Sequence, residues 1–139
     1  GVYHEHELVA RAEILHEQFI RAIKFEAKTL IDMIRKQILP AAVLDLLPYQ
    51  QVSTSAFANK MVKKLSDSID CLDDAITVLE GLIEEGYLIA NHREKGLYLH
   101  QIVRPQLNEV RKCADALEAI MNKSNYPIPT YSDILFNFD

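Results

Sequence analysis

Leu65-Ser66-Asp67-Ser68-Ile69-Asp70-Cys71-Leu72-Asp73-Asp74-Ala75-Ile76-Thr77-Val78-Leu79 places apolar residues at alternating intervals of four and three. Extended to Val62 and Ile83, the series makes six steps over 21 residues, or 3.5 per step, the period of a coiled-coil seam. The helix that carries it is predicted over residues 56–85. Ser53, Thr54 and Ser55 are N-cap candidates in an aperiodic loop over residues 48–55, and Gly86 is the expected C-terminal stop. Gly81 inside the helix costs about 1 kcal/mol relative to Ala.

On the N-terminal side, Leu8, Ala12, Leu15, Phe19, Ile23, Ala27, Leu30, Ile34, Ile38 and Ala41 make nine steps over 33 residues, or 3.67 per step. Val9, Ile14, Ile20, Ala22, Phe25, Ile31, Met33 and Leu39 widen that stripe beyond one face, so this first helix is expected to have neighbours on several sides. Pro40 lacks an N–H, and a kink or break is expected just before it. On the C-terminal side, a polar stretch over residues 91–95 precedes Leu99, Val103, Leu107, Val110, Ala114, Leu117 and Met121, a third helix best supported over residues 106–122 and interrupted at Gly96 and Pro105. Residues 126–136 combine two prolines with a Thr-x-x-Asp capping pattern and read as a docking tail. The expected fold is therefore all-α: an antiparallel bundle of three long helices, four if the chain kinks at Pro40 or Pro105, with an extended C-terminal tail. Lys60, Lys63 and Lys64 open the second helix and Glu80, Glu84 and Glu85 close it, against its own dipole. An antiparallel third helix would set Arg93 and Lys95 beside the acidic end and Glu118 near the basic one.

Composition bounds the function. With 139 residues, the chain is expected to form one domain, residues 1–139, with 49% apolar and 25% charged residues. A net charge of -5, from 15 basic against 20 acidic residues, offers no footprint for nucleic acid. No apolar run reaches membrane-spanning length and no signal segment is evident, so neither membrane nor secretion is expected and the cytoplasm is the expected location. Cys71 and Cys113 are expected as buried free thiols rather than a disulfide. Four glycines leave no phosphate-binding loop.

Chemistry-bearing patterns are sparse. Glu13 and His16 form one Glu-x-x-His unit of the kind used in di-iron bundles, but no second unit exists, and a surface pair one turn apart is the expected reading. His4 and His6 sit two apart, a weak adventitious metal pair at most, and His92 and His100 lack a nucleophile or an orienting acid. Asp67, Asp70, Asp73 and Asp74 spread around an outer face without a calcium-loop glycine or terminal glutamate. Glu26, near Thr29, lies at the edge of the broad apolar stripe. It should meet an Arg, His or backbone donor from another element, since burial unpaired would cost several kcal/mol. No catalytic, cofactor-binding or metal-binding residue is assigned.

Three stretches carry a family resemblance. They are Glu26-Ala27-Lys28-Thr29-Leu30-Ile31-Asp32-Met33 with Ile38-Leu39-Pro40-Ala41-Ala42; Val103-Arg104-Pro105-Gln106-Leu107 with Val110-Arg111 and Asp115-Ala116-Leu117-Glu118; and the tail Tyr126-Pro127-Ile128-Pro129-Thr130-Tyr131-Ser132-Asp133-Ile134-Leu135-Phe136. In order and spacing, the chain resembles the helical C-terminal region of type III glutamine synthetases. The resemblance implies a parent enzyme that joins ammonia to glutamate using ATP and divalent Mg or Mn ions in a large oligomeric ring. It makes this chain a fragment of that ligase of nitrogen metabolism, without catalysis of its own, packed against the catalytic domain of the same chain and neighbouring subunits. The rival reading is a free-standing helical interaction module that binds a partner helix through the 3.5-period seam.

Overall fold

A computed structural model describes residues 2–52 and 54–127, with side chains from Glu5 onward except that of Ser53. The described residues are all helical, in three rods joined by short turns, and no strand occurs among them. The first rod comprises α1 (Val2–Met33), a π-helical turn (Ile34–Ile38) and α2 (Leu39–Gln50). The second is α3 (Ala56–Tyr87). The third comprises α4 (His92–Tyr98), a second π-helical turn (Leu99–Val103) and α5 (Arg104–Ile120), followed by a 3-10 turn (Lys123–Asn125).

Neither proline breaks its rod; the irregularity expected just before Pro40 is a wider helical turn. In a regular helix each ring would collide with the carbonyl four residues back. Here the wider turn sits immediately before the ring: the Leu39 N–H reaches back five residues to the Ile34 carbonyl, and the Arg104 N–H does the same to Leu99. Both sites share one local pattern, an apolar residue, another four later, then one residue and proline: Ile34, Ile38, Pro40 and Leu99, Val103, Pro105. The wider turn keeps both apolar residues of each pair facing the core, where all four are buried.

The α3 seam behaves as its period requires: Leu65, Leu72, Ile76, Leu79 and Ile83 are buried, and Ile69 is half-buried. They meet Ile23, Ala27, Ile31, Ile34, Ile38 and Ala42 from the first rod, and Leu99, Val103, Leu107, Val110, Ala114, Leu117 and Met121 from the third. Ser55 caps α3, its Oγ accepting from the Ala58 N–H at 3.2 Å. Between the second and third rods, Tyr98 donates to Glu85 (3.2 Å), the Gln106 amide donates to the Ala75 carbonyl (3.0 Å), and Cys113 faces Cys71, so residue numbers fall along one rod as they rise along the other.

Gly86 is not the left-handed stop expected of it, since no glycine among the described residues has positive φ and α3 runs on to Tyr87. Its role is close packing: a Cβ there would stand 3.1 Å from two carbons of the Tyr98 ring. The third rod also starts earlier than its periodicity indicates. The polar run over residues 91–95 is its first turn, capped by Asn91 Oδ1, which accepts from the N–H groups of Arg93 (2.9 Å) and Glu94 (3.1 Å). Pro48 lies within α2, two residues before its end.

Helix α3's acidic end is met from an unforeseen direction. Among the described residues, Arg93 and Lys95 pair with none of Glu80, Glu84 and Glu85. Glu80 instead receives both guanidinium nitrogens of Arg35, in the first π turn. That hydrogen-bonded guanidinium holds the Glu80 carboxyl below the usual glutamate range. A lowered pKa in the folded chain stabilises above the ordinary glutamate range, and the contribution disappears as pH falls through the folded value. Both side chains are about two-fifths exposed, so water limits it to at most about 1 kcal/mol. Urea unfolding of Glu80→Gln against the parent chain should show a small loss at pH 7 that closes by pH 3.

Candidate docking face

The first four turns of α1 have an apolar content fit for burial and no cover among the described residues. Every residue over 5–15 is exposed, including Leu8 (52%), Ile14 (56%) and Leu15 (65%). Phe25 is exposed as well, at 73%; eleven residues and about three turns beyond Ile14, it projects from the same outward side. This corrects the expectation that neighbours surround the whole first helix. The rods are not flush: α4 begins only opposite His16, and the α3 end at Tyr87 lies opposite Lys24, so the start of α1 stands out beyond the other two. Full burial of each such aliphatic or aromatic side chain would contribute about 1.5–3 kcal/mol.

At the base of this overhang lies an open cleft, walled by Val9, Ala12, Glu13, His16 and Glu17 on α1 and by His92, Arg93 and Gly96 on α4. The His16 Nε2–H donates to the His92 carbonyl at 2.6 Å, joining the first and third rods. Gly96 makes this possible, because a Cβ built there would overlap the His16 imidazole. Phe19 and His100 rings meet at 6.1 Å behind it. His16 is therefore an interhelical tie. Gly96→Ala should leave stability nearly unchanged, since a helix-propensity gain of about 1 kcal/mol offsets the displaced imidazole and its hydrogen bond. In a His16→Ala background the same change should stabilise by about 1 kcal/mol, a coupling that a thermal double-mutant cycle reads directly.

Glu26 finds the cation it was expected to need: Arg111 of α5 forms an ion pair with its carboxylate. The pair joins two of the three stretches that carry the family resemblance. Thr29 beside it is exposed. Asp67, Asp70, Asp73 and Asp74 are all exposed on α3, as expected of a solvated face. The His4 side chain lies outside the described residues, and His6 is exposed.

Asp45, which no sequence pattern singled out, is the one buried charged residue among those described, at 3% exposure. It accepts from the Asn122 backbone N–H (3.2 Å) and the Asn125 amide (2.7 Å), tying the turn after α5 back onto α2. Its carboxylate substitutes for the helical acceptors that the chain gives up at Met121, where the backbone turns extended. The following Tyr126 is half-buried against the core, and burial, reinforced by Glu118 and Asp115, pushes its phenol up to about 12. The rest of the expected docking tail, residues 128–136, lies outside the described residues.

A second feature flanks the face. Arg21, Lys24 and Lys95 rim a cavity of about 170 Å³ floored by Ile20, Ile23, Ile83 and Leu99. Lys24 lies 4.1 Å and Lys95 5.8 Å from the centroid of the Tyr87 ring, both within cation–π range. No three His, Cys, Asp or Glu side chains among the described residues are grouped so as to hold a metal ion. The described residues do not fit the divalent ions implied for the parent enzyme. No helix among them is long and apolar enough to cross a membrane.

Residues 1–60 match the family described as glutamine synthetase C-terminal domain. The chain is 35% identical to the Type-3 glutamine synthetase of Dictyostelium discoideum over 145 residues, covering 94% of this chain and 20% of that protein. It is 27% identical to the glutamine synthetase of Bacteroides fragilis, over 97% of this chain and 20% of the relative. Identity to that of Butyrivibrio fibrisolvens is also 27%, over 99% and 21%. The chain thus spans about a fifth of the length of the curated relatives it matches.

Proposed function

From the premise that this chain belongs to the type III glutamine synthetases, as their C-terminal domain, we propose that it is an assembly domain without catalysis of its own. The parent reaction is the ATP-dependent ligation of ammonia to glutamate, carried out in the cytoplasm by a homo-oligomer. The three rods, over residues 2–120, form one up-down-up bundle in a single domain, residues 1–139, which docks through the broad face of the first helix and the tail. The partners are the catalytic domain of the same chain and neighbouring subunits. One observation carries the reading: the overhang of α1 exposes Leu8, Ile14 and Leu15 on a helix whose later turns are well packed. Such side chains need a cover, and the parent enzyme supplies one.

The rival module would bind a partner helix through the α3 seam. That seam is already filled by Leu107, Val110 and Leu117 of α5 and by Ile34 and Ile38 of the first rod, which disfavours it. Deleting the segment that corresponds to this chain from a full-length enzyme, and measuring particle size and ligase activity, tests the proposal. Smaller particles that retain activity per active site are expected. A full-sized assembly after deletion overturns the architectural role, and a direct loss of chemistry within correctly sized particles overturns the separation from catalysis.

A further inference from the structure

Cys71 on α3 and Cys113 on α5 were expected as buried free thiols. They are free, but Cys71 is exposed and Cys113 half-buried, and their sulfurs lie 3.1 Å apart across the contact between the two rods. A disulfide needs about 2.05 Å, so closure asks for roughly 1 Å of movement, within reach of side-chain rotation on two facing helices. The surroundings hold the two helices in place: Leu72 and Ala114, the next residues along each helix, are buried, and the Gln106 amide donates to the Ala75 carbonyl, one turn beyond Cys71, at 3.0 Å. Two cysteines 42 residues apart in sequence are thereby held face to face at a solvent-accessible seam.

We propose that Cys71 and Cys113 form a reversible dithiol–disulfide site that staples α3 to α5, with small-molecule disulfides as the oxidant. The exposed Cys71 thiolate attacks one sulfur of the oxidant, breaking its S–S bond, releasing one small thiol and leaving a mixed disulfide on Cys71. The Cys113 thiolate then attacks the Cys71 Sγ and expels the second small thiol. In sum, two protein S–H bonds are lost and one protein S–S bond forms; the small disulfide gains two electrons and two protons and leaves as two thiols. The order of attack follows from access: the exposed Cys71 meets the oxidant first, while Cys113 is half-buried, with burial and then the neighbouring Cys71 and Glu109 pushing its thiol up, and it serves as the resolving partner held beside Cys71.

The test treats the 139-residue chain with oxidised glutathione at graded ratios to the reduced form, followed by intact-mass measurement, a non-reducing gel and thermal unfolding. Loss of two hydrogens in a monomeric species is expected, with a melting temperature raised on the order of 10 °C and restored by dithiothreitol. Cys113→Ser should stop at one glutathionyl adduct without the thermal shift, and Cys71→Ser should react far more slowly. Persistence of the glutathionyl adduct on the parent chain, a disulfide joining two chains, or an intramolecular bond that leaves or lowers the melting temperature would each overturn the proposal.

Discussion

Leu79→Ala lowers the stability of the chain by about 2–5 kcal/mol, the range for emptying an aliphatic site that its surroundings only partly refill. Leu79 is fully buried, next to last in the α3 seam, within the core cluster to which all three rods contribute. Against a typical total of 5–15 kcal/mol, that is a large fraction of what keeps the chain folded. For a domain of this length, the melting temperature should fall by roughly 8–15 °C. Val78→Ala is the matched control. One residue away and half exposed, it should change stability by no more than about 0.5 kcal/mol. Calorimetry on the two variants checks the pair, and equal losses would mean that the 3.5-residue period does not select the core.

Replacing Leu8, Ile14, Leu15 and Phe25 together by Gln should have the opposite profile. All four are exposed in the chain by itself, and Gln is a good helix former, so the melting temperature of the 139-residue chain should move by only a few degrees. In a full-length enzyme the same four changes remove apolar anchors worth about 1.5–3 kcal/mol each where they are buried. That corresponds to weakening of association by a thousandfold or more. Sedimentation of the full-length variant should then show loss of the largest particles at micromolar concentration. Unchanged assembly would separate the overhang from any docking role, even if the deletion experiment had succeeded.

The two profiles divide the first helix as its sequence did not. Along the first rod the stripe from Leu8 to Ala41 is continuous at 3.67 residues per step, and nothing in that pattern distinguishes Leu15, which is exposed, from Ile34, which is fully buried. Periodicity reports which side of a helix is apolar and carries no information on where a neighbouring helix ends. Glu26 is a case where a local pattern went further: its position at the stripe's edge called for a cation from another element, and Arg111 supplies it. Asp45 and His16 had no comparable signal. Their partners stand 77 and 76 residues away, and each bond exists only because two rods approach at that height.

The glycines and prolines divide in the same way. Gly86 and Gly96 read locally as a stop and an interruption, yet both lie inside helices, where they admit the Tyr98 and His16 rings. Pro40 reads as a kink or break and Pro105 as a late start or bend, and each is absorbed by a π turn that keeps the buried stripe in register. From the sequence alone came the three helices, the α3 seam and the three cap candidates of which Ser55 is the one used, because helix formation and amphipathic spacing depend on residues within one or two turns of each other. Where the rods overlap, which thiols, carboxylates and imidazoles meet, and which apolar turns stay uncovered were decided only in the tertiary structure, since those contacts join residues tens of positions apart and depend on how far each rod extends past its neighbours.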